Sequence, residues 1–203
     1  MSIFTQFFQG LSKRQQIFTS SGTFTPSARL LALGGWVEVI CVGGGGGGYA
    51  SGTIKTGGGG AQVTRRIVQV TGNVTVTIGA GGTGGITPTH GGTTSFGSLV
   101  TAAGGLAANQ YYGGANDWYT YASSAGGMSQ NSLSISIPLP ISGYFSVGFG
   151  GLPPFESYGI GGQGSLNTDI YNYNSTNAPA NSGMGGHYGG NGGSGICIVE
   201  WWE

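Results

Sequence analysis

Side chains able to do chemistry are sparse in this 203-residue chain, and their spacing suits little of it. His90 and His187 stand alone, with no second ligand at zinc-binding spacing, so each reads as a loop or turn donor. Cys41 and Cys197 are the only thiols and form no CxxC; each lies in an apolar, strand-like stretch and reads as a small buried hydrophobe rather than half of a bridge. Asp117, Glu156 and Asp169 fall in an aromatic-rich half, where a pair of carboxylates could flank a glycosidic bond as acid and nucleophile. Sequence does not set their separation, and loop acids are usually just solvated. Gly79, Gly81 and Gly84 satisfy GxGxxG after a strand, but "GGITPTHGG" follows, and pyrophosphate needs a helix N-terminus there. Lys55 and Thr56 lack the glycine framework of a phosphate loop. No catalytic residue, metal or cofactor is therefore expected.

What must position any site is glycine, 46 residues of it, in dense clusters. Ordering each glycine costs roughly 0.5–1 kcal/mol more than ordering alanine, so an ordered cluster must gain something that only glycine permits. In "GGNGGSG", "GGTGG" and "GGQG" the non-glycine residues recur every third position, the period of an extended helix with three residues per turn. In such a helix Asn191 and Ser194 line one face, and the other two faces lie bare against neighbouring backbones. Residues 43–48 are all glycine and have no side-chain face, which places them inside a stack. Flexible linkers share this composition. Four tryptophans, nine phenylalanines and ten tyrosines argue for an ordered chain instead.

Composition excludes several classes. Six basic and six acidic residues leave no electrostatic footprint for nucleic acid, and Arg65 and Arg66 on a strand point to opposite faces. Two cysteines are too few for a disulfide-stapled framework. The N-terminus has no basic region before its apolar residues, and no segment approaches the roughly 18 apolar residues of a membrane span, so synthesis as a soluble cytosolic chain is expected. Length suits one domain, residues 17–203, with an appendage of residues 1–16. In that appendage Ile3, Phe4, Phe7, Phe8 and Leu11 have near-helical spacing, a short amphipathic helix whose apolar face needs either the domain's own flank or another protein.

From Ile17 the chain reads as strands and turns: a hairpin in "IFTSSGTFTP", strands at residues 36–42, 61–70 and 73–79, a turn and short strand in "TSFGSLVTAAGG", and a closing "GICIVEWWE". Val74, Val76 and Ile78 share one face, as do Cys197, Val199 and Trp201. Residues 106–182 differ, with aromatic rings interleaved with Asn, Ser, Gly and Asp. Within them Leu133 to Ile141 alternate, but Pro138 and Pro140 confine that stretch to a sheet edge or an extended loop. Tyr, Trp, Ser, Gly and Asn also dominate loop-built recognition surfaces. The other reading of the rings is core; Phe96, Trp36 and Trp201 are expected buried, and Tyr111, Tyr112, Trp118, Tyr119 and Tyr144 exposed.

"FTSSGTFTPSARL", "WVEVICVGGGGGG", "GGGGAQVTRRIVQV", "VTVTIGAGGTGG", "GGTTSFGSLVTAAGG" and "GGHYGGNGGSGICIVEWW" together resemble the glycine-rich domain at the ends of bacteriophage tail fibres. A more distant similarity is to the distal adhesins of T-even-type phages, in which a polyglycine II sandwich displays variable loops. The resemblance implies an all-β fold, a glycine-rich sheet scaffold with packed polyglycine II helices and long receptor-facing loops. It also implies a non-enzymatic, receptor-binding protein of the virion tail, made in the host cytoplasm. Its partners would be a fibre or baseplate protein and a host outer-membrane protein or lipopolysaccharide. The candidate receptor contacts are Tyr111, Tyr112, Asp117, Trp118, Tyr119, Tyr121, Tyr144, Phe145, Tyr171 and Tyr173, and Ile3, Phe4, Phe7, Phe8 and Leu11 are the candidate fibre attachment. Two other readings stand beside it: a capping component of a fibre or baseplate without receptor contact, and a polysaccharide-degrading tail protein. The spacing does not choose between a monomer and a trimer.

Overall fold

Apolar residues at every second position make a strand with one buried face, and most of the sheet structure follows from that rule. The computed structural model describes residues 11–51, 54–108, 134–139, 143–148, 164–165, 177–186 and 189–203. One four-stranded antiparallel sheet has the order β1 (Lys13–Phe18), β13 (Ile196–Trp202), β3 (Trp36–Val42), β6 (Val63–Gln69). A second has the order β2 (Gly22–Phe24), β7 (Val74–Thr77), β8 (Thr94–Phe96), β9 (Val100–Ala102). A third joins β10 (Ser134–Leu139), β11 (Gly143–Gly148), β12 (Gly164–Ser165), β5 (Ile54–Thr56) and β4 (Tyr49–Ser51) in that order. The expected all-β class holds. The one described helix, α1 (Ala28–Ala32), is a single short segment that the pattern reading missed. Its signal was Ser27, whose hydroxyl accepts from the Leu30 amide at 2.9 Å as an N-cap.

The first two sheets face each other across one core. Val37, Val39 and Cys41 of β3 and Cys197 and Val199 of β13 meet Phe24, Val76, Phe96, Val100 and Ala102 of the second sheet. Val74, Ile78 and Trp201 pack at the margin of this core, as their alternation requires. Phe24 anchors it, with ring centroids 5.6 Å from Phe96 and 5.4 Å from Trp201. Cys41 and Cys197 are both buried, free, and directly opposite in register, with sulfurs 3.7 Å apart. Burial was legible in the sequence; adjacency was not. The hydrogen bond to Cys41, together with desolvation, pushes the Cys197 thiol far above its ordinary range.

The expected hairpin over residues 17–26 does not form. β1 pairs with β13 in one sheet and β2 with β7 in the other, so the chain crosses the sandwich between them. Phe18 and Phe24 then enter the same core from opposite sides, burial that a hairpin on one sheet would not allow. Lys13 to Gln16 also lie within β1, so the expected boundary at residue 17 falls inside a strand. Of the two settings expected for the proline-bearing stretch, the edge strand holds: among the described residues β10 pairs with β11 alone.

Beyond the sheets lies the glycine layer, built around residues 43–48. The amides of Gly43 and Gly46 donate to the carbonyls of Gln62 and Gly59, those of Gly44 and Gly47 to Gly92 and Thr89, and those of Gly45 and Gly48 to Gly193 and Gly190, all at 2.8 to 3.1 Å. Carbonyls of the same run accept on three other sides: Gly44 and Gly47 from Gly105 and Ala108, Gly45 and Gly48 from Gly82 and Gly85, and Gly46 from Gly186. The five neighbours that bond the run twice do so at period three, as an extended three-residue-per-turn helix demands. One buried glycine helix thus has six neighbours, three antiparallel that accept from it and three that donate to it. This is the packed polyglycine arrangement expected from the sequence, with residues 43–48 at its centre.

Close approach is what excludes side chains. A Cβ on Gly45 would overlap the main-chain carbonyl of Met184, and one on Gly47 that of Thr83. Gly72, by contrast, has open space where its Cβ would be. We expect Gly45→Ala to cost several kcal/mol, in the range of ~4 kcal/mol or more that marks disruption of a packed interior. Gly72→Ala should be neutral or stabilise by about 0.4–1 kcal/mol through the unfolded state. Chemical denaturation of the two variants against the parent checks this; equal stability of both would refute the close-packed layer.

Candidate functional site

The sheets and the glycine layer are one continuous object with two ends. β3 runs directly into residues 43–48, and its sheet neighbours β6 and β13 are fed by residues 59–62 and 190–195, which flank the same glycine helix. The second sheet behaves alike: β7 leads into residues 79–85, residues 89–92 lead into β8, and β9 leads into residues 103–108. With seven residues in β3 at about 3.3 Å each and the glycine run at about 3.1 Å per residue, the two ends lie roughly 40 Å apart.

The far end carries the connections. There Gly48 passes into the β4–β5 hairpin, and Ile86 stands exposed in the turn between residues 85 and 89. The aromatic-rich stretch departs after Ala108, whose amide donates to Gly47 O at 2.9 Å, and the chain is held again at Ala178, bonded to Asn191 O at 2.8 Å. Asn191 and Ser194, expected on one face, bond to different segments: Asn191 Oδ1 accepts from the Gly84 amide at 2.8 Å and Ser194 Oγ from the Asn181 amide at 2.9 Å. Strands of the stretch also join this end, through Ser165 of β12 opposite Lys55 of β5. Of the expected receptor contacts, Tyr144 and Phe145 are placed on β11, in register with Pro138 and Ile137. Tyr111, Tyr112, Asp117, Trp118, Tyr119, Tyr121, Tyr171 and Tyr173 lie outside the described residues, as do Glu156, Asp169 and His187.

His90 serves the scaffold. Its Nδ1 accepts the Ala107 amide at 2.9 Å and ties the turn to residues 103–108. Gly79, Gly81 and Gly84 belong to a packed glycine helix and no α-helix follows them, in line with rejecting the dinucleotide fingerprint. Among the described residues no group of His, Cys, Asp and Glu has the arrangement of a metal site. No described helix is long and apolar enough to cross a membrane.

The near end is where β1 begins and β13 finishes. Leu11 precedes β1 and is half-buried; Ile3, Phe4, Phe7 and Phe8 lie outside the described residues. Ser12 and Glu203 exchange main-chain hydrogen bonds at 2.8 and 3.1 Å, closing this end. On the outward face of the first sheet the register builds two rows. Gln15, Glu200, Glu38 and Ile67 form one, and two residues beyond the end of the β13–β3 ladder the pairs Lys13–Trp202 and Trp36–Gln69 form the next. Trp36 was expected in the core but is 56% exposed, because alternation gives the inward position to Val37. Trp202 and Ile67 are exposed beside it, and the face holds a hollow of about 350 Å³.

Two directly opposed carboxylates, Glu38 and Glu200, would repel, and each has its own cation. Arg65 holds Glu38 through a two-pronged ion pair whose second bond is 2.8 Å, and Lys13 Nζ lies 2.9 Å from Glu200. Gln15 Nε2 donates to Glu200 at 2.6 Å. The Arg65 hydrogen bond keeps the Glu38 carboxyl below its ordinary value of 4.5. No sequence signal paired these strands, so this cluster was not foreseen.

A family model described as a glycine-rich domain matches residues 19–139, more than half of the chain. No curated protein matches it.

A depressed folded-state pKa means that the Glu38 link contributes fully above about pH 4.5 and is lost as pH falls through the lower folded value. Glu38→Gln should therefore lower the thermal midpoint slightly at neutral pH. The gap from the parent should shrink on acidification below pH 4.5 and in high salt, as expected for a partly exposed pair. Thermal melts across pH 3 to 7, a range of about four units spanning both states of the carboxyl, provide the check.

Proposed function

This chain belongs to the glycine-rich domain family, and on that premise we propose that it is a bacteriophage tail-fibre tip adhesin that recognises a host outer-surface receptor. The observation that carries the reading is polarity. Residues 1–10 lead into one end of a side-by-side-bonded body, and the aromatic-rich residues 109–176 depart from the other, tens of ångströms away on the order of the path length above. Attachment and display are thereby separated. A rigid scaffold carrying recognition segments at one end is the usual design of a binding module.

Recognition falls to the interleaved aromatic and amide residues. Rings such as Trp118 and Tyr119 offer large contact area with few rotatable bonds, and Asn, Ser and Gly adapt their hydrogen bonds around them. The partner on the host would be an outer-membrane protein or lipopolysaccharide, and the partner on the virion a fibre or baseplate protein docked by Ile3, Phe4, Phe7, Phe8 and Leu11. No catalytic step is needed, nor nucleic acid, nor membrane insertion.

The purified protein should adsorb reversibly to host cells and compete with whole phage. Replacing Trp118 and Tyr119 by alanine should weaken adsorption about tenfold or more, the loss typical of truncated hot-spot rings. A double variant that adsorbs like the parent would count against these residues, and a parent that never adsorbs yet is required for particle assembly would favour a capping role. Deleting residues 1–10, which precede β1, should leave folding intact and abolish incorporation into particles. Full incorporation of that deletion would reject the attachment segment.

A further inference from the structure

We propose that the hollow on the outward face of the first sheet, between Trp36, Trp202, Glu38 and Glu200, is a binding site for a short neutral saccharide. The site lies at the opposite end from Ala108 and Ala178, where the chain leaves and rejoins the glycine layer, and goes beyond the receptor reading above.

Three observations converge. Trp36 and Trp202, each two residues beyond the Glu38–Glu200 pair and both lining the hollow, are 56% and 58% exposed and so keep indole surface for the C–H face of a sugar ring. The row immediately beside them presents carboxylates whose orientation is fixed by Arg65, Lys13 and Gln15, which are acceptors and donors for ring hydroxyls. The volume, about 350 Å³, lies at the lower end of small-ligand sites and suits one or two sugar rings.

Charge decides against the alternatives. Two cations and two carboxylates cancel within the hollow, and each cation is already engaged by a carboxylate, so a polyanion finds no net attraction. A lipid chain or wholly apolar peptide would have to strip water from both ion pairs. A polyhydroxylated neutral ligand needs neither, since it hydrogen-bonds to the pairs without separating them.

The test uses the full chain and a panel of neutral disaccharides (maltose, cellobiose, lactose and diacetylchitobiose) with sialyllactose as an anionic comparison. Binding is read by indole fluorescence and by titration calorimetry. At least one neutral disaccharide should saturate with a Kd on the order of millimolar, and sialyllactose should bind no better than lactose. Trp36→Ala with Trp202→Ala should weaken binding about tenfold or more, as loss of stacking surface implies. Glu38→Gln, which keeps the shape of the side chain, gives a second readout should the double variant fail to fold, and should also weaken binding. The Trp118→Ala, Tyr119→Ala variant should bind sugar like the parent, so that this site and the adhesin reading can fail separately. The proposal is overturned if no neutral disaccharide saturates, if the Trp36, Trp202 and Glu38 variants all bind like the parent, or if sedimentation shows the face closed by a second copy of the chain that the tryptophan variants release.

Discussion

A glycine helix surrounded by six others at a distance that admits no Cβ is the constraint to which the rest of the fold answers. The amides of residues 43–48 donate in turn to three different neighbours, so strands must reach this bundle on the correct side and in the correct direction. That requirement accounts for the sheet order. β13 and β6 flank β3 because residues 190–193 and 59–62 accept from alternate sides of the central run. The second sheet stacks on the first because residues 82–85, 89–92 and 105–108 occupy other sides of it. A sandwich core then fills the wedge between the two sheets, with Phe24 at its centre.

Features with a local period were legible in the sequence. The three-residue recurrence identified the glycine helices, the absence of any side chain in residues 43–48 identified the middle one, and two-residue alternation oriented Val76 and Cys197 toward the core. Features that depend on which distant strand lies alongside were not legible. Nothing in residues 13–24 reports that β13 and β7 compete for β1 and β2, which is why a hairpin was expected where the chain crosses the sandwich. Trp36 misled for the same reason, since a ring beside a strand-like run reads as core until the parity of Val37 is known. The pairing of Cys41 with Cys197, and of Glu38 with Glu200, needed the register of chain segments more than a hundred residues apart, on the scale of the whole domain.

Charged side chains are few, and most of the described ones lie on or beside the first sheet. Lys13, Glu38, Arg65 and Glu200 share the outward face there. Arg14 lies 3.7 Å from Glu203, and Ser27 hydrogen-bonds to the same carboxylate. That hydrogen bond, foremost, holds the Glu203 carboxyl below its ordinary range. The glycine bundle has no room for such groups, because a side chain of any kind would part the backbones. Among the described residues, ion pairs and exposed indoles are consequently found beside the sheets and not in the glycine bundle.

The unbroken passage of β3 into residues 43–48 has a mechanical consequence. Tension applied along that direction loads the inter-chain hydrogen bonds sideways and all at once, as in shear, instead of peeling them one after another. There is no hinge along this path for a pull to find. A load borne by the domain along this axis would pass straight down the main chain.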